Sequence, residues 1–261
     1  MNRVLAEMLA PEVERAVAAG MTTVILPLGA TEQHGPHLPL GTDSIRATSL
    51  AADLNRALAE TLLAPTLPIG CSDEHTGFAG LLSLDHETLA RLIVDCGRRI
   101  VAWGITRLVL LSAHGGNAQA LELARQRLRQ ETPALRVLIL APTSAQQRSV
   151  QRIADAAGIP SAVVGLHAGE GETSEMLSLR PDLVRMDLAV AGHTGPMGDL
   201  MPRLRRVGLR GVTRGGILGD PCDAHPSRGA AYLAAQVDGF LRALSDDGES
   251  DEPNGRDAAG R

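Results

Sequence analysis

The 261-residue sequence contains no lysine, so all 25 of its basic residues are arginine. Without lysine, the chain lacks both the Schiff-base nucleophile of pyridoxal-phosphate enzymes and the lysine of a P-loop nucleotide site. Aromatic residues are also scarce, with one tryptophan, one tyrosine and two phenylalanines, and the net charge is −5. Such a chain offers neither stacking platforms for bases nor attraction for a phosphate backbone. We therefore expect no nucleic-acid partner.

Cysteine and long apolar runs are scarce as well. Cys71, Cys96 and Cys222 are too few and too widely spaced for a disulfide framework or a zinc knuckle. No apolar run is long enough to cross a bilayer, and the N-terminal stretch carries acidic residues that a signal peptide lacks. We expect a cytoplasmic protein with no membrane partner.

What the sequence does contain is an alternation of short apolar runs with amphipathic stretches. The runs Val24–Leu28, Leu108–Ser112 and Leu135–Ala141 are typical of buried parallel strands. Strand and helix patterns in alternation predict an α/β fold, a three-layer α/β/α sandwich with a mainly parallel sheet. The predicted inward faces of the helices are Ala47, Leu50, Leu54 and Leu58; Leu89, Leu92, Ile93, Cys96 and Ile100; Leu121, Ala124 and Leu128; and Leu233, Val237, Phe240 and Leu244.

Two boundaries follow from the same pattern. Asp85 directly precedes the second of these helices and is a predicted N-cap. Residues 1–244 form a single predicted domain. Residues 245–261 are acidic and have no apolar periodicity, so we expect a disordered tail there.

Acidic and histidine side chains follow the predicted strands, where parallel sheets place their ligand sites. Glu32 and His34 come after the first strand and, being two apart, leave an extended segment on one face. Asp43 follows a Gly/Pro-rich loop, and His114 ends the next strand. Farther on, the start of another helix supplies His167, Glu170 and Glu172. Carboxylates and imidazoles in this number are a typical ligand set for Zn²⁺, Mn²⁺ or Fe²⁺.

Each motif alone has a plainer explanation. A single Glu-x-His after a strand is more often a capping or surface pair than part of a ligand set. The string HGGN could be the oxyanion loop of an esterase, but the chain has no G-x-S-x-G nucleophile elbow.

Taken in order, the strings GATEQHGPHLPLGTD, AHGGN and GETS resemble the creatininase family, as do DEHTGFAGLLSLD and GILGDP. The resemblance runs from about Leu5 to the final helix and implies a creatininase-like parallel-sheet sandwich. It also implies two divalent metal ions per chain, with Zn²⁺ expected first and Mn²⁺ or Fe²⁺ as alternatives. By resemblance, Glu32, Asp43 and His114 would bind one ion, and His34, Asp43 and Glu172 the other. His167 matches the histidine that transfers protons.

The implied reaction is the hydrolysis of an amide-type C–N bond, other than a peptide bond, by a metal-activated hydroxide. Its substrate would be a small-molecule or peptide amide. The resemblance also implies a homo-oligomer, a hexamer by analogy, and the apolar segment Leu38–Leu40 is a candidate interface. The residues expected to contact substrate are His37, Glu74, His75, Gly115, Gly116, Asn117 and Glu170.

The branch of the family remains open. Creatinine-hydrolysing members place an aromatic residue and a carboxylate where this chain has Gly115 and Gly116, which argues against creatinine as substrate. The first motif is similar to the mycofactocin precursor peptidase branch and also to the formamide hydrolases. The string HAGEGETS departs from the HAGHTETS pattern expected of the peptidase.

Two alternatives of other kinds are a non-enzymatic metal-binding scaffold and a mononuclear metal hydrolase. The scaffold predicts the loss of at least one ligand, whereas all five predicted ligands are present. Metal stoichiometry would separate a mononuclear hydrolase from a binuclear one.

Overall fold

A computed structural model describes residues 3–141, 144–195 and 197–249. Four strands form one sheet in the order β2-β1-β3-β4, and all neighbours are parallel. The predicted parallel sheet is thus confirmed, and β2, at three residues, is the strand that the apolar pattern did not reveal. The strands are β1 Thr23–Leu28, β2 Thr61–Leu63, β3 Arg107–Ser112 and β4 Arg136–Leu140.

Helices connect and cover the strands. The described α-helices are α1 Ala10–Ala18, α2 Thr42–Ala57, α3 His86–Val101, α4 Ala118–Glu131, α5 Ser144–Ala156, α6 Ser161–Val164, α7 Glu170–Leu179, α8 Met197–Val207 and α9 Pro226–Glu249. Short 3₁₀ turns lie at Leu5–Glu7, Asp73–His75, Gly115–Asn117, Pro181–Leu183 and Met186–Leu188. The predicted N-cap is confirmed, since the Asp85 carboxylate accepts a 2.8 Å hydrogen bond from the Thr88 amide.

Alternate residues of β1 and β3 face opposite layers, as the pleat requires. Val24 and Leu108 pack with α3 and α4 on one face of the sheet, and Ile25 and Val109 pack with α2 and α9 on the other. The three-layer sandwich is therefore confirmed. Both faces bury apolar residues, and Leu50 of α2, at 1% exposed, is one of those packed on the second face.

One predicted helix face was wrong in detail. Leu92 is 37% exposed, and Cys96 is also exposed, so the buried face of α3 is narrower than predicted. Leu38 packs against Ile217 inside a small core cluster, which leaves Leu40 as the exposed member of the Leu38–Leu40 segment.

The division into a domain and a tail stays a prediction, although the last helix extends beyond residue 244. Helix α9 passes the predicted boundary at residue 244 and continues to Glu249. Residues 250–261 of the predicted tail lie outside the described residues. Within the described ranges, no helix combines the length and apolarity needed to span a membrane.

Candidate metal centre

The predicted ligands meet at the carboxyl ends of the two central strands, β1 and β3. Glu32 and His34 follow β1, and His114 follows β3 directly. The chain then returns through α2, whose second residue is Asp43. A Cβ atom at Gly29 would collide with the backbone of Ser44. The missing side chain thus lets the end of β1 touch the start of α2, which brings Asp43 beside Glu32 and His34.

One group of ligand atoms comes from Glu32, Asp43 and His114, which lie within 4.8 Å of one another. His114 Nδ1 is 3.2 Å from Asp43 Oδ2, and His114 Nε2 is 3.3 Å from Glu32 Oε2. The Nε2–H of His114 donates to the Cys71 carbonyl at 2.9 Å. With the proton on Nε2, the Nδ1 lone pair faces Asp43 and is free for a cation.

A second group comes from His34, Asp43 and Glu172. His34 Nε2 lies 3.5 Å from Asp43 Oδ1 and 3.8 Å from Glu172 Oε2. The Nδ1–H of His34 donates to the Glu32 carbonyl at 3.2 Å, which leaves the Nε2 lone pair facing the two carboxylates. Asp43 therefore turns one oxygen toward each group, as a bridging carboxylate does.

Glu172 reaches the centre from α7, a helix that does not directly follow a strand. Its Oε2 accepts a 2.7 Å hydrogen bond from the Ala168 amide, and its Oε1 accepts one of 2.7 Å from Arg46 Nη1. Ala168 has φ of 53°, in the left-handed region that non-glycine residues rarely adopt. This conformation directs the Ala168 amide at Glu172.

The fit of these residues to cations can be tested on their buried atoms. Glu32 Oε1 and Oε2, His34 Nε2 and Asp43 Oδ2 are buried without a hydrogen-bond partner. A buried polar atom left unsatisfied costs about 1–3 kcal/mol. Four such atoms facing one space are costly in the protein alone and are satisfied by divalent ions that accept nitrogen and oxygen ligands. The residues fit a binuclear centre.

The charges agree with that fit. Burial raises the pKa of Glu32 to about 7, and the opposing attraction of His114 does not cancel that rise. Burial opposes a charged His34, but Asp43 and Glu172 outweigh it and raise the pKa of His34 to about 9. Burial opposes a charged His114 too, yet Asp43 and Glu32 raise its pKa to about 10. Burial also opposes the charge on Asp43, but His34 and His114 hold its pKa well below the usual value. A bound cation would replace the two imidazole protons.

His167 lies inside the same cluster. Its Nε2–H donates to the Gln33 carbonyl at 2.8 Å, and its Nδ1 is 3.7 Å from Glu32 Oε1. Together with Glu32 and His34 it forms a third group of possible ligand atoms. Burial and the neighbouring His34 lower the pKa of His167 to about 4, so the ring is neutral near pH 7. The position suits either a ligand or a proton carrier.

Three of the predicted substrate contacts border the centre. His75 Nε2 is 3.1 Å from Glu32 Oε1, and burial with His167 lowers the pKa of His75 to about 2. Glu74 Oε1 lies 3.8 Å from His114 Nε2, and its side chain is 37% exposed. His37 Nε2 is 2.9 Å from Thr173 Oγ1, whereas its buried Nδ1 has no partner.

The two glycines after His114 differ in how much space surrounds them. A Cβ at Gly115 would meet nothing within 4 Å, whereas one at Gly116 would collide with the Cys71 carbonyl and His114 Nε2. Gly115 therefore faces open space. Gly116 packs against the imidazole that the first group needs.

Asn117 and Glu170, both predicted to contact substrate, are fully buried and hydrogen-bonded within the protein. The Asn117 amide donates to the Gly29 carbonyl at 3.0 Å and accepts from the Cys71 amide at 2.9 Å. Asn117 therefore ties together the loops that carry the ligands. Glu170 is fully buried, and its carboxylate is bound by Ser174, Arg228 and Tyr232, pointing to a structural role within the protein.

Sequence reasoning missed two buried charges behind the centre. Arg46 is 6% exposed and pairs with Glu172 and Glu175. A signal was present, because Arg46 follows Asp43 by three residues on α2 and Glu175 follows Glu172 by three on α7. Residues three apart share a helix face, so each would lie beside a predicted ligand.

Comparison with known proteins agrees with this architecture. The family model described as creatininase, creatinine amidohydrolase, matches residues 6–244. A mycofactocin precursor peptide peptidase from Mycolicibacterium smegmatis is 35% identical over 238 residues, covering 88% of this chain and 87% of the relative. A creatinine amidohydrolase from Pseudomonas putida is 30% identical over 258 residues, covering 90% and 94%. A solved structure titled "Creatininase Mn" has a TM-score of 0.78 at 27% identity, covering 95% of this chain and 99% of that one.

Proposed function

The chain belongs to the creatininase family of metal-dependent amidohydrolases, and on that premise we propose that it hydrolyses an amide bond in a substrate larger than creatinine. One observation carries the proposal of a working centre. Five predicted ligands converge from β1, α2, β3 and α7, and four of their buried atoms have no partner. A scaffold that had lost catalysis would not be expected to keep the whole set.

We assign Glu32, Asp43 and His114 to one ion and His34, Asp43 and Glu172 to the other. When bound, two such ions polarise a carbonyl and make a water acidic enough to attack it near neutral pH. The residues around them have separate tasks. The Cys71 carbonyl orients His114, and the Glu32 carbonyl orients His34. We assign His167 the role of proton carrier: its neutral ring, held by Gln33, would accept the proton that the attacking water loses and pass it to the leaving nitrogen.

The surroundings of Gly115 support a substrate larger than creatinine. A cavity of about 440 Å³ is lined by His114, Gly115, Leu121, Val137 and Ile139, among others; His114 is the one predicted ligand among its lining residues, and none of them is Phe, Trp or Tyr. A small flat ring gains much of its binding from stacking, and poor orientation alone can cost about 100-fold in rate.

The aromatic residues of the chain lie in other places. Tyr232 and Phe240 are fully buried. Phe78 packs with Leu209, and Trp103 follows α3 at the amino end of β3, away from the centre. Phe78 is the aromatic residue nearest the centre along the chain, since its amide donates to the carbonyl of His75.

Within this proposal we favour the end of a peptide as the substrate. The mycofactocin-peptidase relative supports that choice over the non-peptide amide expected from the sequence. The departure of residues 167–174 from the peptidase pattern supports the second candidate, a formamide on a bulky heterocycle.

The assay compares creatinine with a panel of formamides and C-terminally cleavable peptides, with Zn²⁺, Mn²⁺ or Fe²⁺ supplied in turn. We expect the protein to hydrolyse at least one of the formamides or peptides and to hydrolyse creatinine poorly. Efficient creatinine hydrolysis with no reaction of the larger amides would contradict the proposal. Cleavage of peptides alone would decide for the first candidate, and cleavage of formamides alone for the second.

We further propose that the protein works in the cytoplasm as a homo-oligomer, a hexamer in this family's pattern. Light scattering measures the assembly directly. A monomer that is fully active would contradict the oligomer proposal without affecting the assignment of the centre.

A further inference from the structure

Behind the second ligand group lies a buried pair of opposite charges, Arg46 on α2 and Glu175 on α7. Arg46 is 6% exposed and Glu175 is 3% exposed. Arg46 Nε lies 2.5 Å from Glu175 Oε2. Removing two such charges from water costs several kcal/mol for each ion, and apolar residues of similar size often stabilise a fold as well or better. Stability alone is therefore a weak reason for this pair.

Another donor of Arg46, Nη1, reaches two predicted metal ligands and the Ala113 carbonyl. Arg46 Nη1 lies 2.7 Å from Glu172 Oε1 and 3.4 Å from Asp43 Oδ1. The rigid guanidinium thus contacts one carboxylate of the second group and the carboxylate that both groups share. Arginine suits this task better than lysine, because its donors leave a planar fork in fixed directions.

Both oxygens of Glu172 are already engaged, but in different ways. Oε1 accepts from Arg46 Nη1, whereas Oε2 accepts from the Ala168 amide and lies 3.8 Å from His34 Nε2. Each carboxylate oxygen has a second lone pair. Glu172 can therefore offer Oε2 to a cation while Arg46 retains Oε1.

The pair is in turn fixed to the outer layer. Glu175 Oε1 accepts a 2.7 Å hydrogen bond from Gln236 Nε2 of α9. Contacts therefore run from α9 through Glu175 and Arg46 to Glu172. Glu172 lies on a helix and not at the end of a strand. These contacts therefore hold its side chain in place, as strand pairing does for the ligands that follow β1 and β3.

We infer that Arg46 and Glu175 are positioning residues that make Glu172 bind the second metal ion through Oε2 alone. Arg46 holds the other oxygen, and Glu175 balances the charge and fixes the direction of the guanidinium. The inference rests on the metal centre proposed above.

A second Arg–Glu pair also involves α7 and serves as a matched control. Arg228 Nε of α9 lies 2.7 Å from Glu170 Oε1, and Glu170 also binds Ser174 and Tyr232. Like the first pair it involves α7, which it joins to α9, but among the described contacts neither Arg228 nor Glu170 touches a predicted metal ligand. Its loss should affect the packing of α7 without reaching the second ion.

The test uses the double variants Arg46→Met/Glu175→Gln and Arg228→Met/Glu170→Gln in the full chain. Each double variant removes one positive and one negative charge and puts an amide of similar size in place of the carboxylate. Metal-free protein is titrated with Zn²⁺ against a chromophoric chelator, with no substrate present. The absorption spectrum of the Co²⁺-loaded protein then reports the coordination of the ions, and thermal unfolding of the metal-free proteins reports the fold.

We expect Arg46→Met/Glu175→Gln to bind the second ion about 10- to 100-fold more weakly, the usual loss for an outer partner of a ligand. The first ion should bind unchanged, and the Co²⁺ spectrum should change as Glu172 Oε1 becomes free to coordinate. The control pair should keep both affinities and the spectrum.

Unchanged affinities and spectrum in Arg46→Met/Glu175→Gln would overturn the inference and leave the proposed function standing. Equal losses in both double variants would also overturn it, since the cause would then be the packing of α7. If the unmodified chain itself takes up no Zn²⁺, the metal centre fails and the inference fails with it.

Discussion

The two ligand groups that share Asp43 are built from different parts of the fold. Glu32 and His114 follow central strands of the sheet, so backbone pairing fixes the first group. Glu172 comes from α7, which packs on α9 and is held at the centre by Arg46 and the Ala168 amide. A group fixed by the sheet should depend little on outer side chains, whereas a group completed by a helix should depend on them strongly.

The geometry agrees with that difference. In the first group His114 Nδ1 is 3.2 Å from Asp43, and the Glu32 carboxylate is fully buried. In the second group His34 Nε2 is 3.8 Å from Glu172, whose side chain is 17% exposed. We therefore expect the first ion to bind more tightly and the second to exchange more readily.

The most damaging single change should be Asp43→Ala, because it removes the carboxylate common to both groups. Without it, two cations would face each other with no shared negative charge between them. We expect the metal content, measured by mass spectrometry of purified protein, to fall from about two ions per chain to nearly none. Asp53→Ala, in the same helix but paired only with Arg56 in the described contacts, is the control and should keep both ions.

Replacing His114 or His167 distinguishes a ligand from a proton carrier. His114→Ala should weaken or empty the first position. His167→Ala should keep both ions but slow turnover by about 100-fold, within the usual range for losing a general acid or base. Metal analysis beside steady-state kinetics makes the measurement. If His167→Ala loses metal as readily as His114→Ala, the third group of possible ligands is the real one and the assigned roles are wrong.

Two neighbouring glycines allow a finer test of the first position. Gly116→Ala pushes a methyl group into the Cys71 carbonyl and the His114 ring. Because that carbonyl orients the ligand, affinity for the first ion should fall by about 10-fold or more. Gly115→Ala meets nothing and is the control. Equal affinities in the two variants, measured by chelator competition, would show that the Cys71 contact does not orient His114.

The smallest expected effect is a difference between the two ions in the unmodified protein. Under rising chelator concentration, the second ion should leave first, because we expect its dissociation constant to be about 10-fold higher than that of the first ion. Two resolved steps in a competition titration would show it. A single step in which both ions leave together would mean that the two groups do not differ as their surroundings suggest.

The sheet and the ligands that follow its strands were predictable from the sequence. Long apolar runs identify β1, β3 and β4, and carboxyl ends of parallel strands meet at one edge, which places Glu32, His34 and His114 together. The run that forms β2 is too short to stand out from its surroundings. Leu92 has helical spacing but is exposed. Its burial was predicted wrongly because periodicity locates the centre of an apolar stripe better than its edges.

The helix-derived part of the centre was less accessible. His167 and Glu172 could be assigned roles only through the family resemblance, since nothing in their local pattern says that α7 turns toward the strand ends. Glu170 lies two residues from Glu172 but points to Arg228 and Tyr232 instead. Arg46 and Glu175 carry a helical spacing signal, but their burial depends on the packing of α2, α7 and α9.

The most direct test of the binuclear centre is anomalous diffraction from crystals grown with Zn²⁺. We expect two zinc peaks about 3.5–4 Å apart, the usual separation in two-metal sites. One should lie among Glu32, Asp43 and His114, and the other among His34, Asp43 and Glu172, with His167 bound to neither. A single peak, or two peaks that Asp43 does not bridge, would contradict the account.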